Sequence, residues 1–243
     1  MIYVTGDLHG FVGLSRLKDW REGRAGDYLI VAGDFGYPWD FSEDESAEIA
    51  WLESRPYRVL FVDGNHERFD HWTARPAEPW GGGMVQRLAD GSPIMRLMRS
   101  KVYEIDGARI FTLGGAASID RAYRTPYVDW WPHEVPIEQD LDQARANLDT
   151  VGWKVDYVIT HTCPKRLMAR TLHPSLPISG LPDECLTRFL DEVDARLDFK
   201  HWYYGHFHGD RDIDERHTLL FERIVPIGAG VDGRSRLDIK GVG

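Results

Sequence analysis

Short apolar runs in this sequence repeatedly end in a residue that can bind a metal or move a proton. Eight residues share this position: Asp7, His9, Asp34, Asn65, His66, His161, His206 and His208. Glycine, which permits tight turns and a close approach of the backbone, precedes four of the motifs, at Gly6, Gly33, Gly64 and Gly205. Because the eight side chains are spread over the whole chain, they can act together only if the fold gathers the ends of these runs.

The residue types favour metal chemistry at phosphorus. Histidine nitrogens with carboxylate and amide oxygens suit Mn, Fe, Co, Ni or Zn better than calcium. One ion takes about four to six ligands, so a larger set fits two ions that share a carboxylate. Two ions ~3.5–4 Å apart are the usual means of stabilising in-line displacement at phosphorus. A metal-bound water also loses its proton readily, which supplies hydroxide at neutral pH.

The apolar runs themselves predict strands. They cover residues 2–5, 29–32, 59–62, 157–160 and 202–204. Near-continuous apolar runs of this length are typical of strands that are buried on both faces. In open α/β sheets, ligands bind at the carboxyl ends of the strands. If these strands share a sheet or a face, all eight side chains therefore converge on one edge.

Helices are predicted between the strands. The first contains Leu14, Leu17 and Trp20, and the second runs from a capping box at Ser42 and Glu45 to about residue 54. A third contains residues 137–148 on a helical spacing, and a fourth covers residues 183–196. Residues 94–114 and 217–240 are rich in strand-forming residues, which predicts an α/β fold with mixed sheets. Residues 73–92, with a glycine triplet interpreted as a mobile surface turn, and residues 116–135 are least typical of regular structure.

Composition narrows the class of protein. The chain has 243 residues, 42% of them hydrophobic, and 29 basic against 39 acidic residues give a net charge of −10. This length is consistent with a single domain over residues 1–243. The acidic balance makes long nucleic acid an improbable partner, since binding it needs clustered Lys and Arg. Two cysteines fit a reducing compartment, and no run approaches the ~20 apolar residues of a membrane span, so we expect a cytoplasmic protein without a membrane partner.

In order and spacing, the motifs resemble those of the calcineurin-like metallophosphoesterase family. The blocks are Asp7-x-His9, Gly33-Asp34, Gly64-Asn65-His66-Glu67, a strand-end His161 and Gly205-His206-x-His208, and the resemblance extends over nearly the whole chain. It implies a four-layer α-β-β-α sandwich with two mixed β-sheets and metals at the strand ends. One departure is Tyr37, which occupies a position that is often acidic or basic in this family.

The resemblance also implies a role for each residue. Asp7, His9 and His208 would bind the first metal, and Asp34 would bridge both. The second metal would be bound by Asn65, His161 and His206. His66 would bind the scissile phosphate and stabilise or protonate the leaving oxygen.

The loop at 116–135 is predicted to cap this site and bind substrate. Arg121 and Arg124 could bind phosphate oxygens through the planar guanidinium fork, although a surface salt-bridge network is an equally good interpretation. Asp63 could orient a metal-bound histidine or could be a solvated strand-end residue.

The leading functional hypothesis is a dinuclear metal-dependent phosphoesterase. It would hydrolyse a small phosphomonoester or phosphodiester by in-line attack of a metal-bound hydroxide. The expected cofactors are two divalent transition-metal ions, Mn first and Fe, Ni or Zn otherwise. The alternatives are a nuclease or nucleotide phosphodiesterase, in which Trp130 and Trp131 stack on a base, and a non-catalytic scaffold. The oligomeric state is not predicted.

Overall fold

The computed structural model describes residues 1–172 and 180–234, in which strands and helices alternate as the sequence predicts. The strands are β1 (Ile2–Thr5), β2 (Tyr28–Val31), β3 (Arg58–Phe61), β4 (Ala77–Trp80), β5 (Gly83–Arg87), β6 (Met95–Leu97), β7 (Lys101–Ile105), β8 (Ala108–Leu113), β9 (Tyr157–Thr160), β10 (His201–Tyr204), β11 (Arg211–Asp212), β12 (His217–Leu219) and β13 (Ile224–Pro226). The helices are α1 (Phe11–Asp19), α2 (Glu43–Glu53), α3 (Phe69–Ala74), α4 (Glu138–Thr150), α5 (Met168–Thr171) and α6 (Glu184–Arg196).

The strands form two mixed sheets, which confirms the predicted fold class. The first has the order β13-β1-β2-β3-β6-β5-β4, and the second has the order β11-β12-β10-β9-β8-β7. In the first sheet, β1, β2, β3 and β6 run parallel. In the second, β8, β9, β10 and β12 run parallel. The antiparallel strands are added at the edges of these parallel cores.

Within residues 1–172 and 180–234, three apolar cores separate four layers. Ile2 and Val4 of β1 point into a core between the two sheets, whereas Tyr3 packs with α1, α2 and α3 on the other face. The second sheet packs its outer face against α4, α5 and α6 in a third core. Successive side chains on a strand point to opposite faces, so strands with a core on both sides must be apolar throughout. This burial explains the uninterrupted apolar runs of the sequence.

Residues 73–92 are more regular than the sequence predicts. They contain the antiparallel pair β4 and β5, joined by Gly81 and Gly82. Both glycines adopt positive φ, with values of 57° and 83°, which only glycine adopts without strain. The predicted mobile turn is therefore a tight hairpin turn, and the prediction of an irregular segment is wrong. The short strands were missed because Pro79 and three successive glycines have low strand propensity.

The predicted helices are present with small differences. Ser42 accepts a hydrogen bond from the Glu45 amide at the start of α2, as expected. The reciprocal half of the capping box is absent, because the Glu45 carboxylate instead accepts from the amides of Trp39 and Phe41. Of the strand-rich segment at 217–240, β12 and β13 are confirmed, and residues 235–240 lie outside the described residues. No helix in the described part of the chain is long and apolar enough to cross a membrane.

Candidate metal centre

The register of the parallel strands brings the motifs together. Thr5 of β1 pairs with Val31 of β2, which pairs with Phe61 of β3, so the three following loops leave the sheet at one edge. In the second sheet, β9 and β10 likewise end side by side. Contacts between the two edges close the site, since the His206 amide donates to Asp7 Oδ1 at 2.8 Å.

One group of side chains is formed by Asp7, His9 and His208. The Nε2 atoms of His9 and His208 lie 3.0 Å apart. Asp7 Oδ2 lies 3.2 Å from His208 Nε2 and 3.7 Å from His9 Nε2. Ligand atoms this close to one another, from an aspartate and two imidazoles, could hold one divalent ion.

A second group contains Asp34, His161 and Asn65. His161 Nδ1 donates to the Ala32 carbonyl at 2.8 Å, which leaves the lone pair of the neutral ring on Nε2. That Nε2 atom lies 2.9 Å from Asn65 Oδ1 and 3.4 Å from Asp34 Oδ1. These three atoms all carry lone pairs and face one another in a buried place. Together they could therefore bind a cation. Asp7 Oδ1, at 4.0 Å from His161 Nδ1, also borders this group.

Asp34 lies between the two groups. Its Oδ1 atom faces His161, and its Oδ2 atom lies 3.7 Å from His9 Nε2. The His66 amide donates to Asp34 Oδ1 at 2.7 Å and so orients the carboxylate. The His66 ring is 5.4 Å from the His9 ring, and the His206 ring is 5.0 Å from the His161 ring, measured between centroids. All eight predicted residues therefore meet at one site.

The backbone at this site is strained. Four of its residues have a positive φ: His9 at 52°, Asp34 at 47°, His206 at 69° and His208 at 45°. Such values are uncommon outside glycine, and they persist only where the surrounding structure enforces them, as at functional sites. The neighbouring glycines leave room for the carboxylates, because a Cβ atom on Gly64 would lie 1.9 Å from Asp34 Oδ1.

Comparison with known proteins agrees with this geometry. A family model described as calcineurin-like phosphoesterase matches residues 1–210. The chain belongs to this family. It is a metal-dependent phosphoester hydrolase, and the side chains described above are its candidate metal ligands.

Among solved structures, a phosphopantetheinyl hydrolase (PptH) from Mycobacterium tuberculosis has a similar fold. The TM-score is 0.51 at 18% sequence identity, and the match covers 91% of this chain and 89% of that chain. No curated protein matches the sequence. The solved structure therefore supports the fold of the phosphoesterase. At 18% identity, the substrate of PptH cannot be assigned to this chain.

Burial favours the neutral form of three imidazoles at the site, those of His9, His66 and His206. It lowers the pKa of His9 and His66, and it lowers that of His206 to about 3. His208 differs, because its hydrogen bond to Asp7 raises its pKa. Burial alone would raise the pKa of Asp34, but the attraction to the charged forms of His161, His66 and His9, together with the hydrogen bond from the His66 amide, outweighs it and holds this pKa well below its usual range. A charged aspartate among neutral imidazoles is the form that binds metal ions.

Asn65 is held in place by Ser118 and Glu134, neither of which was assigned a role from the sequence. Asn65 Nδ2 donates to Ser118 Oγ at 3.1 Å, so its Oδ1 atom must face the metal site. The Ser118 hydroxyl donates to Glu134 Oε2 at 2.5 Å, and the Ser118 amide donates to Oε1 at 3.0 Å. All three residues are buried. A signal existed, because Ser118 follows the apolar end of β8 just as the metal-site residues follow theirs.

Glu67 is a further buried residue that holds the site together. Its carboxylate accepts hydrogen bonds from the amides of Phe35 at 2.8 Å and of Gly36 and Gly64 at 3.2 Å. It thus connects the loops that carry Asp34 and Asn65. Burial, reinforced by the charge of Asp34, raises the pKa of Glu67 well above its usual value.

Asp63 has neither of the roles considered from the sequence. It is fully buried, and its two oxygens accept hydrogen bonds from Arg96 at 3.0 Å and Arg99 at 2.7 Å. Arg99 also donates to the carbonyl of His133 at 2.7 Å, which links β3 to the end of the 116–135 loop. Burial by itself would raise the pKa of Asp63, but the two guanidinium groups outweigh it and lower this pKa.

The two candidate phosphate-binding arginines are placed differently. Arg124 lines a cavity together with His9, His66 and His208, and its guanidinium forms two 2.8 Å hydrogen bonds to the Asp120 carboxylate. Arg121 is exposed, does not line this cavity, and lies 6.0 Å from the Trp130 ring.

The two tryptophans of this loop also differ. Trp131 is 2% exposed and packs against Trp39, so it cannot stack on a base. Trp130 is half-buried beside Arg121. The predicted pair of base-stacking tryptophans is therefore not present.

Proposed function

We propose that this phosphoesterase holds two divalent cations and hydrolyses a small phosphomonoester or phosphodiester. The supporting observation is the position of Asp34, whose two oxygens face different groups of ligands, at 3.4 Å from His161 and 3.7 Å from His9. A carboxylate placed in this way can be shared by two ions. The first ion would be held by Asp7, His9 and His208, and the second by Asn65, His161 and His206.

When bound, the two cations would supply positive charge against the scissile phosphate and a water that loses its proton readily. Manganese is our first choice, with iron, nickel or zinc as the others, because the nitrogen and oxygen donors suit all of them. The protein contributes orientation. The hydrogen bonds from the amides of His66 and His206 fix the carboxylates of Asp34 and Asp7.

His66 is the proposed catalytic residue. Burial lowers its pKa, so the neutral ring is the resting form and can donate one N–H hydrogen bond to a phosphate oxygen. To protonate the leaving oxygen, His66 must first gain a proton, which a phosphate dianion beside it would favour through its charge.

Arg124 is the proposed phosphate-binding residue of the 116–135 loop. It lines the same cavity as His66, and its pairing with Asp120 holds the guanidinium in place. Arg121 is the weaker of the two, since it lies outside the cavity lining. We interpret the loop as a cap over the substrate.

Reconstitution and a substrate panel test this function. Chelator-treated protein would be loaded with Mn, Ni or Zn, the metal content measured, and turnover followed with simple phosphomonoesters, diesters, nucleotides and single-stranded oligonucleotides. We expect two ions per chain and turnover of small esters. Full activity with one ion would contradict the dinuclear site, and two ions without any turnover would support the scaffold. A strong preference for oligonucleotides would support the nuclease, and fractionation of cells would test the cytoplasmic location.

A further inference from the structure

A cavity of about 940 Å³ opens beside the candidate metal centre. His9, His66 and His208 belong to its wall, which continues along residues 10–12 at the start of α1 and along residues 36–48 before and within α2. This space is much larger than a phosphate group. Whatever is esterified to the phosphate therefore has a place to lie, and the chemistry of the wall determines which groups it accepts.

The wall of this cavity includes exposed apolar side chains. In the described residues, nine large apolar or aromatic side chains are exposed, and two of them, Phe11 and Val12, line the cavity. Phe41 lies in the segment 36–48, and the other exposed apolar residues of this kind in the loop that carries Arg124 are Ile119, Tyr123, Tyr127 and Val128. Phe11 and Val12 are part of the wall and are 73% and 60% exposed. Exposed apolar surface that gathers in one place marks a binding site, whereas scattered residues do not.

The charges of the wall oppose a second anionic group. Among the lining residues that the structure describes, four carry a carboxylate, namely Asp40, Asp44, Glu45 and Glu48, whereas Arg124 is the only lysine or arginine. Arg124 is already paired with Asp120. Glu45 is buried and occupied by two amides, but Asp40 and Asp44 are exposed to the cavity mouth. A carboxylate or further phosphate on the substrate would meet a wall with more carboxylates than guanidinium groups.

We propose that the natural substrate is a phosphoester whose alcohol portion is largely apolar and carries no negative charge. This inference rests on the proposed function, because it places the phosphate at the metal centre and the alcohol portion along the wall that includes Phe11 and Val12. The continuity of this wall with His66 favours a substrate over a separate protein partner. A fully buried methylene contributes about a fourfold gain in binding, so about twofold per methylene is expected in an open cavity.

A series of n-alkyl phosphates tests the apolar part of the proposal. The metal-loaded protein would be given ethyl, butyl, hexyl or octyl phosphate below its micelle concentration, and the inorganic phosphate produced by hydrolysis would be measured. If the protein is a diesterase, the n-alkyl p-nitrophenyl phosphates would be used instead. We expect kcat/KM to rise about twofold per methylene. A flat series in a protein that turns over ethyl phosphate would overturn the inference and leave the proposed function standing, whereas no turnover of any ester would reject both.

Matched variants assign the effect to the wall. Phe11→Ser and Val12→Ser should each lower the octyl-to-ethyl ratio of kcat/KM severalfold, while Ile137→Ser, which removes an exposed apolar side chain outside the cavity, should not. Sedimentation of the same variants checks the other use of an apolar surface. If Phe11→Ser leaves the ratio unchanged but alters self-association, the surface is an interface between copies and the inference is wrong.

The charge component has its own measurement. Hexyl phosphate and 5-carboxypentyl phosphate have the same number of carbons but differ by one negative charge. One pair of like charges ~6 Å apart in water costs about threefold in binding, so we expect at least this preference for hexyl phosphate. Asp44→Asn should reduce it, and Glu53→Gln, which removes a charge from the far end of α2, should not. Equal rates for the two esters would contradict the proposal that the alcohol portion of the substrate carries no negative charge.

Discussion

Replacing Ser118 by alanine removes the hydrogen-bond partner of a candidate metal ligand without touching the ligand itself. In the wild type, Asn65 Nδ2 donates to Ser118 Oγ at 3.1 Å and Asn65 Oδ1 faces His161 Nε2 at 2.9 Å. In Ser118→Ala the buried amide loses its acceptor. Glu134 Oε2 loses a donor, although Oε1 keeps the backbone amide at 3.0 Å.

The magnitude follows from the burial of this network. An unpaired buried polar group costs about 1–3 kcal/mol, because water cannot replace the lost partner. Asn65 can recover part of this by rotating its amide, which turns the Oδ1 atom away from the site. We therefore expect metal affinity to fall about 10–100-fold, the range found when groups that orient metal ligands are removed, and the free energy of unfolding of the metal-free protein to fall by about 1–3 kcal/mol.

Metal affinity of the chelator-treated protein would be measured by competition with a chromophoric chelator, and stability by urea unfolding. Ser92→Ala is the matched control, because Ser92 is also buried and accepts a hydrogen bond from the Ile94 amide. Ser92 precedes β6, which is parallel to β3, so it lies at the amino end of these strands, whereas the metal site lies at their carboxyl end. The control should lose stability and keep its metal affinity. Ser118→Thr, which keeps the hydroxyl, should show neither the loss of stability nor the loss of metal affinity expected for Ser118→Ala. Unchanged metal affinity in Ser118→Ala would refute the argument that Ser118 orients Asn65.

Three further predictions concern other parts of the site. Asp34→Asn should lower the bound metal below two ions per chain and abolish turnover, and activity at full metal content would rule out a shared carboxylate. His66→Ala should slow hydrolysis of alkyl esters by about 10²–10⁴, with a smaller loss for p-nitrophenyl esters, if His66 protonates the leaving oxygen; an equal loss for both would exclude that role. Asp63→Asn leaves Arg96 and Arg99 without their anion, so the free energy of unfolding should fall by about 3–5 kcal/mol and the melting temperature by about 6–20 °C. Because the pKa of Asp63 is lowered in the folded state, this difference should be present at neutral pH and disappear in acid as the pH falls through that pKa; a difference that persists in acid would contradict it.

Much of the candidate site could be predicted from local sequence. A polar residue that follows an apolar strand must lie at a strand end, so Asp7, Asp34 and His161 could be assigned to strand ends from their neighbours in the chain alone. The register of β1 with β2 and β3, and of β9 with β10, is consistent with this assignment. The capping serine of α2 was equally local, since Ser42 contacts a residue three positions away.

Contacts between distant residues could not be predicted in this way. Ser118 contacts Asn65 across 53 positions, and Asp63 contacts Arg99 across 36 positions. Nothing in the local pattern around Asp63 distinguishes a buried ion pair from a solvated strand end. The β4–β5 hairpin was missed for the opposite reason, since its pairing with β6 outweighs poor local propensity.

Residue order alone specified which side chains follow the strands, because each strand is a continuous apolar run of four or five residues and the polar residue after it can be recognised from its neighbours in the chain. The sheet register and the packing of one sheet on the other decided the rest: which lone pairs face each other, which amide orients Asp34, and which apolar side chains remain uncovered beside His66. Those outcomes depend on distances between elements far apart in the chain. These distances are set only in the folded molecule, because the position of each side chain depends on the packing of many others.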